Sequence, residues 1–134
     1  MREILFKAKR LDNGEWVEGY YVRRAMGLVD EHGCFCPTYS YRIYWTDEGR
    51  QSFCAVDHET LCQYTGLTDS NGVMIFEGDI LEYKDNYTST TSCTVEFLRS
   101  AFMAVWPNDW DNEILDKGFS KYAKVIGNIH DKEK

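Results

Sequence analysis

A mostly β fold, with an antiparallel sheet and small-barrel architecture and one or two short helices, is the class that this 134-residue sequence predicts. Aromatic residues make up 15% of the chain, which contains only two prolines, and aromatic side chains are enriched in strands. Short runs of alternating apolar and polar residues indicate half-buried strands. About nine such runs are separated by Asn-Gly pairs and single glycines, as in sandwiches and small barrels.

A hairpin is predicted at the start of the chain. The strand over residues 4–11 places Phe6 and Ala8 on one face, and the run over 16–24 supplies the second strand. Residues 12–14 read Asp-Asn-Gly between them. Asn-Gly flanked by such runs is a strong hairpin signal, because both central residues accept positive φ.

An aromatic strand is predicted over residues 35–46, where Tyr39, Tyr41, Ile43 and Trp45 fall on one face. We expect Tyr39 and Tyr41 to fill the core. The functional alternative is that strand aromatics stack on nucleobases beside a basic groove. The candidates for stacking are Tyr39, Tyr41, Tyr44 and Tyr83, and those for the groove are Arg10, Arg23 and Arg24.

A turn at residues 46–49 is expected to lead into a strand over 50–56. Asp57 follows this strand. Its carboxylate can accept hydrogen bonds from exposed backbone amides, so it is expected to cap one helical turn over 58–61.

The second half begins with another predicted hairpin, in which the turn 69–72 joins residues 63–67 to 73–76. After a polar loop at 85–92, the best helix candidate is 110–117, which Asp109 can cap and Gly118 can end. The remaining predicted strands cover residues 80–84, 93–99, 102–106 and 122–130.

The length predicts a single domain, or two interlocked β subdomains over about residues 1–62 and 63–134. The net charge is −7. The acidity is concentrated in residues 25–106, which hold four basic and twelve acidic residues. This balance disfavours nucleic acid as a partner, since phosphate backbones are repelled by acidic surfaces.

No leader or membrane segment is expected, because the apolar run near the N-terminus stops after three residues. The sequence therefore predicts a cytoplasmic protein with reduced thiols. Zinc is an open alternative for Cys34, Cys36, Cys54 and Cys62, together with His32 or His58. Structural zinc sites generally use two short Cys spacings, whereas this chain has one, so no metal or other cofactor is predicted.

No catalytic site is predicted either. His58 lies between Asp57 and Glu59, and the thiols of Cys54 and Cys62 are candidate nucleophiles for it. No phosphate-binding loop or dinucleotide fingerprint is present in the sequence. The cluster Glu77-Gly78-Asp79 is interpreted as a tight turn in which Asp79 bonds nearby amides, with a carboxylate pair for a metal or substrate as the alternative.

Several segments are more specific than these clusters. They are QYTGLTDSNG at 63–72, IFEGDI at 75–80 and VIGNIH at 125–130, with REI at 2–4 and WVEGYY at 16–21 near the start. Together they resemble the YopX family. The resemblance implies a small, mostly β protein encoded by phages and prophages and acting in the bacterial cytoplasm. It implies no particular reaction and no catalytic residues.

The first hypothesis is therefore a non-enzymatic protein-interaction module that acts on a host or phage protein, with the acidic region as a contact for a basic partner. The alternatives are a small β-barrel that binds single-stranded nucleic acid and an enzyme for a small substrate. Exposed edge strands leave self-association open.

Overall fold

The computed structural model describes residues 4–84, 90–107 and 112–131. It confirms the mostly β class, since the described residues form two antiparallel sheets and very little helix. The strands are β1 (Phe6–Arg10), β2 (Trp16–Val29), β3 (Phe35–Asp47), β4 (Arg50–Thr68), β5 (Met74–Phe76), β6 (Asp79–Lys84), β7 (Thr90–Leu98), β8 (Ala101–Val105), β9 (Glu113–Ile114) and β10 (Ala123–Asn128), and the helix is α1 (Lys117–Ser120). No helix within these ranges has the length and hydropathy needed to cross a membrane.

The chain forms two compact units. One is Leu5–Leu61, which we call the N-unit, and the other contains the described residues from Cys62 onward together with Ile4, which we call the C-unit. The boundary between them falls inside β4. Each unit has a hydrophobic core of its own.

The N-unit is built from β1, β2, β3 and the first part of β4, paired in that order, with a further pairing between β1 and β4. Ala8, Ile43 and Val56 are its buried core residues. Half-buried side chains pack around them, namely Phe6, Val17, Tyr21, Tyr41, Trp45, Cys54 and Leu61. The alternation in the sequence thus gives each strand an inner and an outer face.

The predicted turns of the N-unit are confirmed. Gly14 has φ +73° in the β1–β2 turn, where its amide donates to the Arg10 carbonyl over 2.9 Å. In the β3–β4 turn, Glu48 and Gly49 have φ +48° and +79°. Two successive positive φ values match the right-handed twist of the strands that they join.

The predicted helical turn after Asp57 is wrong, because β4 continues as a strand through this region. The Asp57 carboxylate does accept a hydrogen bond, from the Glu59 amide over 3.0 Å. The Thr60 hydroxyl donates to the Asp57 carbonyl and accepts from the Lys9 amide, at 2.7 and 2.8 Å. Pairing with β1 therefore prevails over the local capping preference.

The C-unit contains a five-stranded antiparallel sheet in the order β10-β6-β7-β8-β9 and the hairpin between the end of β4 and β5. Its core consists of Ile75, Leu81, Cys93, Val95, Phe102, Ala104, Trp106, Leu115, Phe119 and Ala123. The strand predictions over 80–84, 93–99, 102–106 and 122–130 are confirmed to within a few residues at each end. Of the predicted polar loop, 90–92 belong to β7 and 85–89 lie outside the described residues.

The predicted helix over 110–117 is wrong in its described part. Glu113 and Ile114 form β9 and pair with β8, and α1 begins only at Lys117. Asp116 caps α1 by accepting from the Phe119 amide over 2.8 Å, whereas Gly118 lies inside the helix. Asp109 lies outside the described residues. The short helix forms because it buries Phe119, whose ring stacks on Tyr83 at 4.7 Å.

Candidate functional site

The most exposed element of the N-unit is a two-stranded ribbon formed by the far parts of β2 and β3. Residues 24–40, which we call the β-arm, pair in register from Arg24 opposite Ser40 to Val29 opposite Phe35. The described pairs of β1 end at Gly19 on β2, and those of β4 end at Arg42 on β3. Both outer edges of the arm therefore lack a strand partner within the described residues.

One face of the β-arm is apolar. Ala25, Val29, Phe35 and Tyr39 continue the face that buries the core at the base of β2 and β3, and all four side chains are exposed. The exposed fractions are 67% for Val29, 65% for Phe35 and 46% for Tyr39. The ring of Phe35 lies against Gly27, where an added Cβ would clash with its Cε2. The core face of the N-unit thus continues into the arm uncovered.

The tip of the arm is an ordered turn. One carboxylate oxygen of Asp30 accepts from the amides of His32 and Cys34, at 2.9 and 2.8 Å. Gly33 has φ +79° in this turn. The tip combines Asp30 with the exposed Glu31, so the arm ends in negative charge.

The two aromatic residues that were expected to fill the core behave differently. Tyr41 packs against the core of the N-unit, between Tyr21 and His58, with ring centroids 6.4 and 4.2 Å away. Tyr39 is exposed, and the guanidinium of Arg23 lies 4.7 Å above its ring. The core prediction is therefore confirmed for Tyr41 and wrong for Tyr39, because the packing ends where the arm begins.

A second exposed surface lies on the outer side of β2, β3 and β4. Tyr20, Tyr44 and Phe53 form a row across the three strands, and the rings of Tyr44 and Phe53 stack at 5.2 Å. The guanidinium of Arg42 lies 4.7 Å above the Phe53 ring. Arg24 lies on the same side of β2. We call these five residues the aromatic–arginine face.

Two of the other candidates for nucleic-acid contact already contact other side chains of the protein, Tyr83 in the core and Arg10 at the surface. Tyr83 stacks on Phe119 and meets Trp106 edge-on, so its ring belongs to the core of the C-unit. Arg10 forms a two-pronged ion pair with Asp12, at 2.9 and 2.8 Å. The Asp12 hydrogen bond raises the pKa of Arg10, and the same bond lowers the pKa of Asp12.

The residues that could form a catalytic site with His58 lie in different environments. His58 is exposed and stacks on Tyr41, while strand alternation places Asp57 and Glu59 on the other side of β4. Burial raises the pKa of the Cys54 thiol, which favours its unreactive protonated form. Cys62 is buried in the C-unit.

The cysteines occupy separate environments. Cys34 is exposed at the arm tip, Cys54 is half-buried in the N-unit, and Cys62 and Cys93 are buried in the C-unit. The side chain of Cys36 lies outside the described part of the structure. Among the described residues, no three His, Cys, Asp or Glu side chains are grouped so that they could hold a metal ion.

The cluster Glu77-Gly78-Asp79 is a tight turn, with Gly78 at φ +84°. Asp79 is fully buried, and its carboxylate accepts from the Phe76 amide at 2.8 Å and from Asn128 Nδ2 at 2.9 Å. Asn128 Nδ2 also lies 3.8 Å from the Cys62 sulfur. This network fits the turn interpretation, in which the carboxylate organises backbone.

A second buried carboxylate, that of Asp69, connects two of the segments that resemble the YopX family. Asp69 accepts from the amides of Asn71 and Val73 through Oδ1 and from the amide of Val125 through Oδ2, at 2.8–2.9 Å. It therefore holds the β4–β5 turn against β10. In the sequence, Asp79 directly follows Gly78, and Asp69 opens the predicted turn that ends at Gly72.

The C-unit also has an open pocket of about 440 Å³. Leu67, Phe97, Phe102 and Ile114 line it, with Lys117 and Asp116 at the helix start. Phe97 and Ile114 are exposed. The pocket combines an apolar wall with one charge of each sign.

Comparison with known proteins agrees with the fold. The family model described as YopX protein matches residues 6–134, and the chain belongs to the YopX family. The crystal structure of protein EF1440 from Enterococcus faecalis is similar, with a TM-score of 0.53 and 21% identity over 97% of this chain and 95% of that one. At this identity the likeness shows a shared fold. No curated protein matches the chain significantly.

Proposed function

We propose that this member of the YopX family is a phage- or prophage-encoded accessory protein that acts in the bacterial cytoplasm by binding a host or phage protein. The β-arm makes the contact in this proposal. The observation that carries it is the exposed apolar face of the arm, formed by Ala25, Val29, Phe35 and Tyr39. Family membership supports the phage origin. The proposal assigns no reaction to the chain.

Leaving this face in water is unfavourable, because burying apolar surface contributes about 25 cal/mol per Å². Contiguous exposed apolar patches mark interaction sites on soluble proteins. An isolated two-stranded ribbon is also marginally stable in water. A partner seated on Val29 and Phe35 supplies the missing layer.

The free edges of the arm add a second means of contact. The outer edge of β2 beyond Gly19 and that of β3 before Arg42 have no neighbouring strand within the described part of the chain. An extended segment of a partner can pair with such an edge through main-chain hydrogen bonds. The neighbouring apolar side chains then provide selectivity.

The test is capture from a lysate of the bacterial host after nuclease treatment, with the wild-type chain and the Val29→Ser/Phe35→Ser variant as baits. The matched control is Val73→Ser/Tyr122→Ser, which removes exposed apolar side chains from the C-unit. We expect the wild type and the control to retain the same specific protein, and the arm variant to lose it. Thermal unfolding confirms that each bait is folded.

The salt dependence of capture distinguishes a contact made by the arm from one made by an acidic surface. A contact made by the apolar face persists in high salt, whereas one made by exposed carboxylates weakens as salt screens them. Capture that both variants retain and that high salt abolishes would contradict the arm as the contacting element.

A further inference from the structure

We propose that the aromatic–arginine face of the N-unit is a binding site for single-stranded nucleic acid. It consists of Tyr20, Tyr44, Phe53, Arg24 and Arg42. This site goes beyond the protein contact assigned to the β-arm, since it uses the outer side of the sheet and a different class of ligand.

The aromatic side chains form a stacking platform. Tyr20 pairs with Tyr44 across β2 and β3, and Tyr44 pairs with Phe53 across β3 and β4. Tyr20 is 59% exposed and Phe53 is 53% exposed. The rings of Tyr44 and Phe53 already stack on each other, and the Arg42 guanidinium covers Phe53, so the exposed ring of Tyr20 is the one that we expect a base to stack on. Every base has a π-face, and such platforms therefore bind single strands with little sequence preference.

The charge beside the platform is positive. Arg42 Nε donates to the Ser40 hydroxyl at 3.1 Å, and its Nη1 lies 3.4 Å from the Tyr44 hydroxyl. These contacts orient the guanidinium without neutralising it. Neither Arg24 nor Arg42 forms an ion pair with any carboxylate in the described ranges. A phosphate can pair with such a guanidinium through two hydrogen bonds.

The acidic residues of the N-unit lie mostly away from this patch. Seven basic and nine acidic residues occur between Leu5 and Leu61. Six of the acids belong to or flank the three turns, namely Asp12, Glu15, Asp30, Glu31, Asp47 and Glu48. Glu18, Asp57 and Glu59 border the patch on the same side of the strands, as do Lys7 and Lys9. On this side of the strands the four basic residues Arg24, Arg42, Lys7 and Lys9 outnumber these three acids, so the patch has a small excess of positive charge.

The test is fluorescence anisotropy of a labelled oligothymidylate of about ten nucleotides at about 50 mM salt. We expect saturable binding to the wild-type chain. Tyr20→Ala should weaken it about tenfold through lost stacking. Tyr122→Ala is the matched control, because Tyr122 is 55% exposed in the C-unit, and it should bind as the wild type does.

A second variant addresses the arginine. Arg42→Gln removes one phosphate contact and should lower the slope of log affinity against log salt by about 0.7. The proposal is overturned if the wild type shows no saturable binding, or if Tyr20→Ala and Tyr122→Ala bind alike. It is also overturned if poly-glutamate displaces the oligonucleotide as well as unlabelled oligothymidylate does, since an acidic peptide offers charge without bases.

Discussion

Asp79 is fully buried, and both of its carboxylate oxygens accept hydrogen bonds from uncharged amide groups. One donor is the backbone of Phe76, just before β6, and the other is the side chain of Asn128, at the end of β10. A buried donor that loses its acceptor retains its full desolvation cost. At the scale of single residues, motif positions of the family are thus explained by hydrogen bonding inside the C-unit.

Replacing this carboxylate should be costly. We expect Asp79→Ala to lower the free energy of unfolding by about 2–4 kcal/mol, because two buried donors lose their acceptor. Glu96→Ala, at an exposed position of β7, is the control and should change it by less than about 0.5 kcal/mol. Urea denaturation measures both. Equal stability of the two variants would show that the Asp79 network contributes nothing.

The Cys93 thiol predicts a dependence of stability on pH. Burial, with a smaller contribution from Glu113, raises the pKa of Cys93 from 9.0 to about 11. Between pH 9 and 11, the thiol therefore stays protonated in the native state but loses its proton in the unfolded state. The free energy of unfolding is unaffected by this thiol's titration below pH 9, and it falls by about 2 kcal/mol as the pH rises from 9 toward 11.

Chemical denaturation at pH 8, 9, 10 and 11 measures this effect. Cys93→Ala removes the titrating group, so its stability should fall less steeply across that range than that of the wild type. Parallel curves would contradict a buried thiol as the cause.

At the scale of elements, the sequence predicts the turns correctly, but it does not predict where the helix forms. The residues Asn13-Gly14 and Asn71-Gly72 carry their own backbone preference, so they mark hairpins in any context. Asp57 carries a capping preference as well, but the hydrogen bond from Lys9 to Thr60 draws its segment into a strand. Lys9 and Thr60 are 51 residues apart, so the local sequence around Asp57 does not contain this contact.

The sequence does not predict the β-arm, for a related reason. The predicted strand ends at residue 24, whereas β2 runs to Val29. Gly27 interrupts the pattern of β-forming side chains, and the ring of Phe35 on the opposite strand fills the space beside it. Alternation placed Tyr39 on the core side correctly, but it contains no signal for where the core ends. Sequence therefore identified the aromatic strand and not its exposed portion.

The β3–β4 turn offers a way to strengthen one element. Glu48 adopts φ +48°, a conformation that costs most residues about 1 kcal/mol and Asn less. We expect Glu48→Asn to raise the free energy of unfolding by about 0.5–1 kcal/mol. Glu48→Gln keeps the backbone cost and should leave it unchanged. Thermal unfolding distinguishes them, and a destabilised Glu48→Asn would contradict the turn geometry.

At the scale of the whole molecule, most of the negative charge and the exposed apolar face of the β-arm lie in different units. The N-unit carries a net charge of −2 and the remainder of the chain −5, which together give the total of −7. The exposed apolar face of the β-arm lies in the less acidic unit. Net charge keeps a protein soluble without specifying a partner, whereas a shaped apolar face does specify one. We therefore propose that the arm, and not the acidic surface, binds the partner.

Site-specific photocrosslinking in the bacterial host tests that assignment most directly. A photoreactive phenylalanine replaces Phe35 on the arm or, as a control, Tyr122 in the C-unit, both of which are more than half exposed. We expect illumination to join one discrete protein to position 35 and none to position 122. The same crosslinked protein from position 122, with none from position 35, would contradict the β-arm as the element that binds the partner.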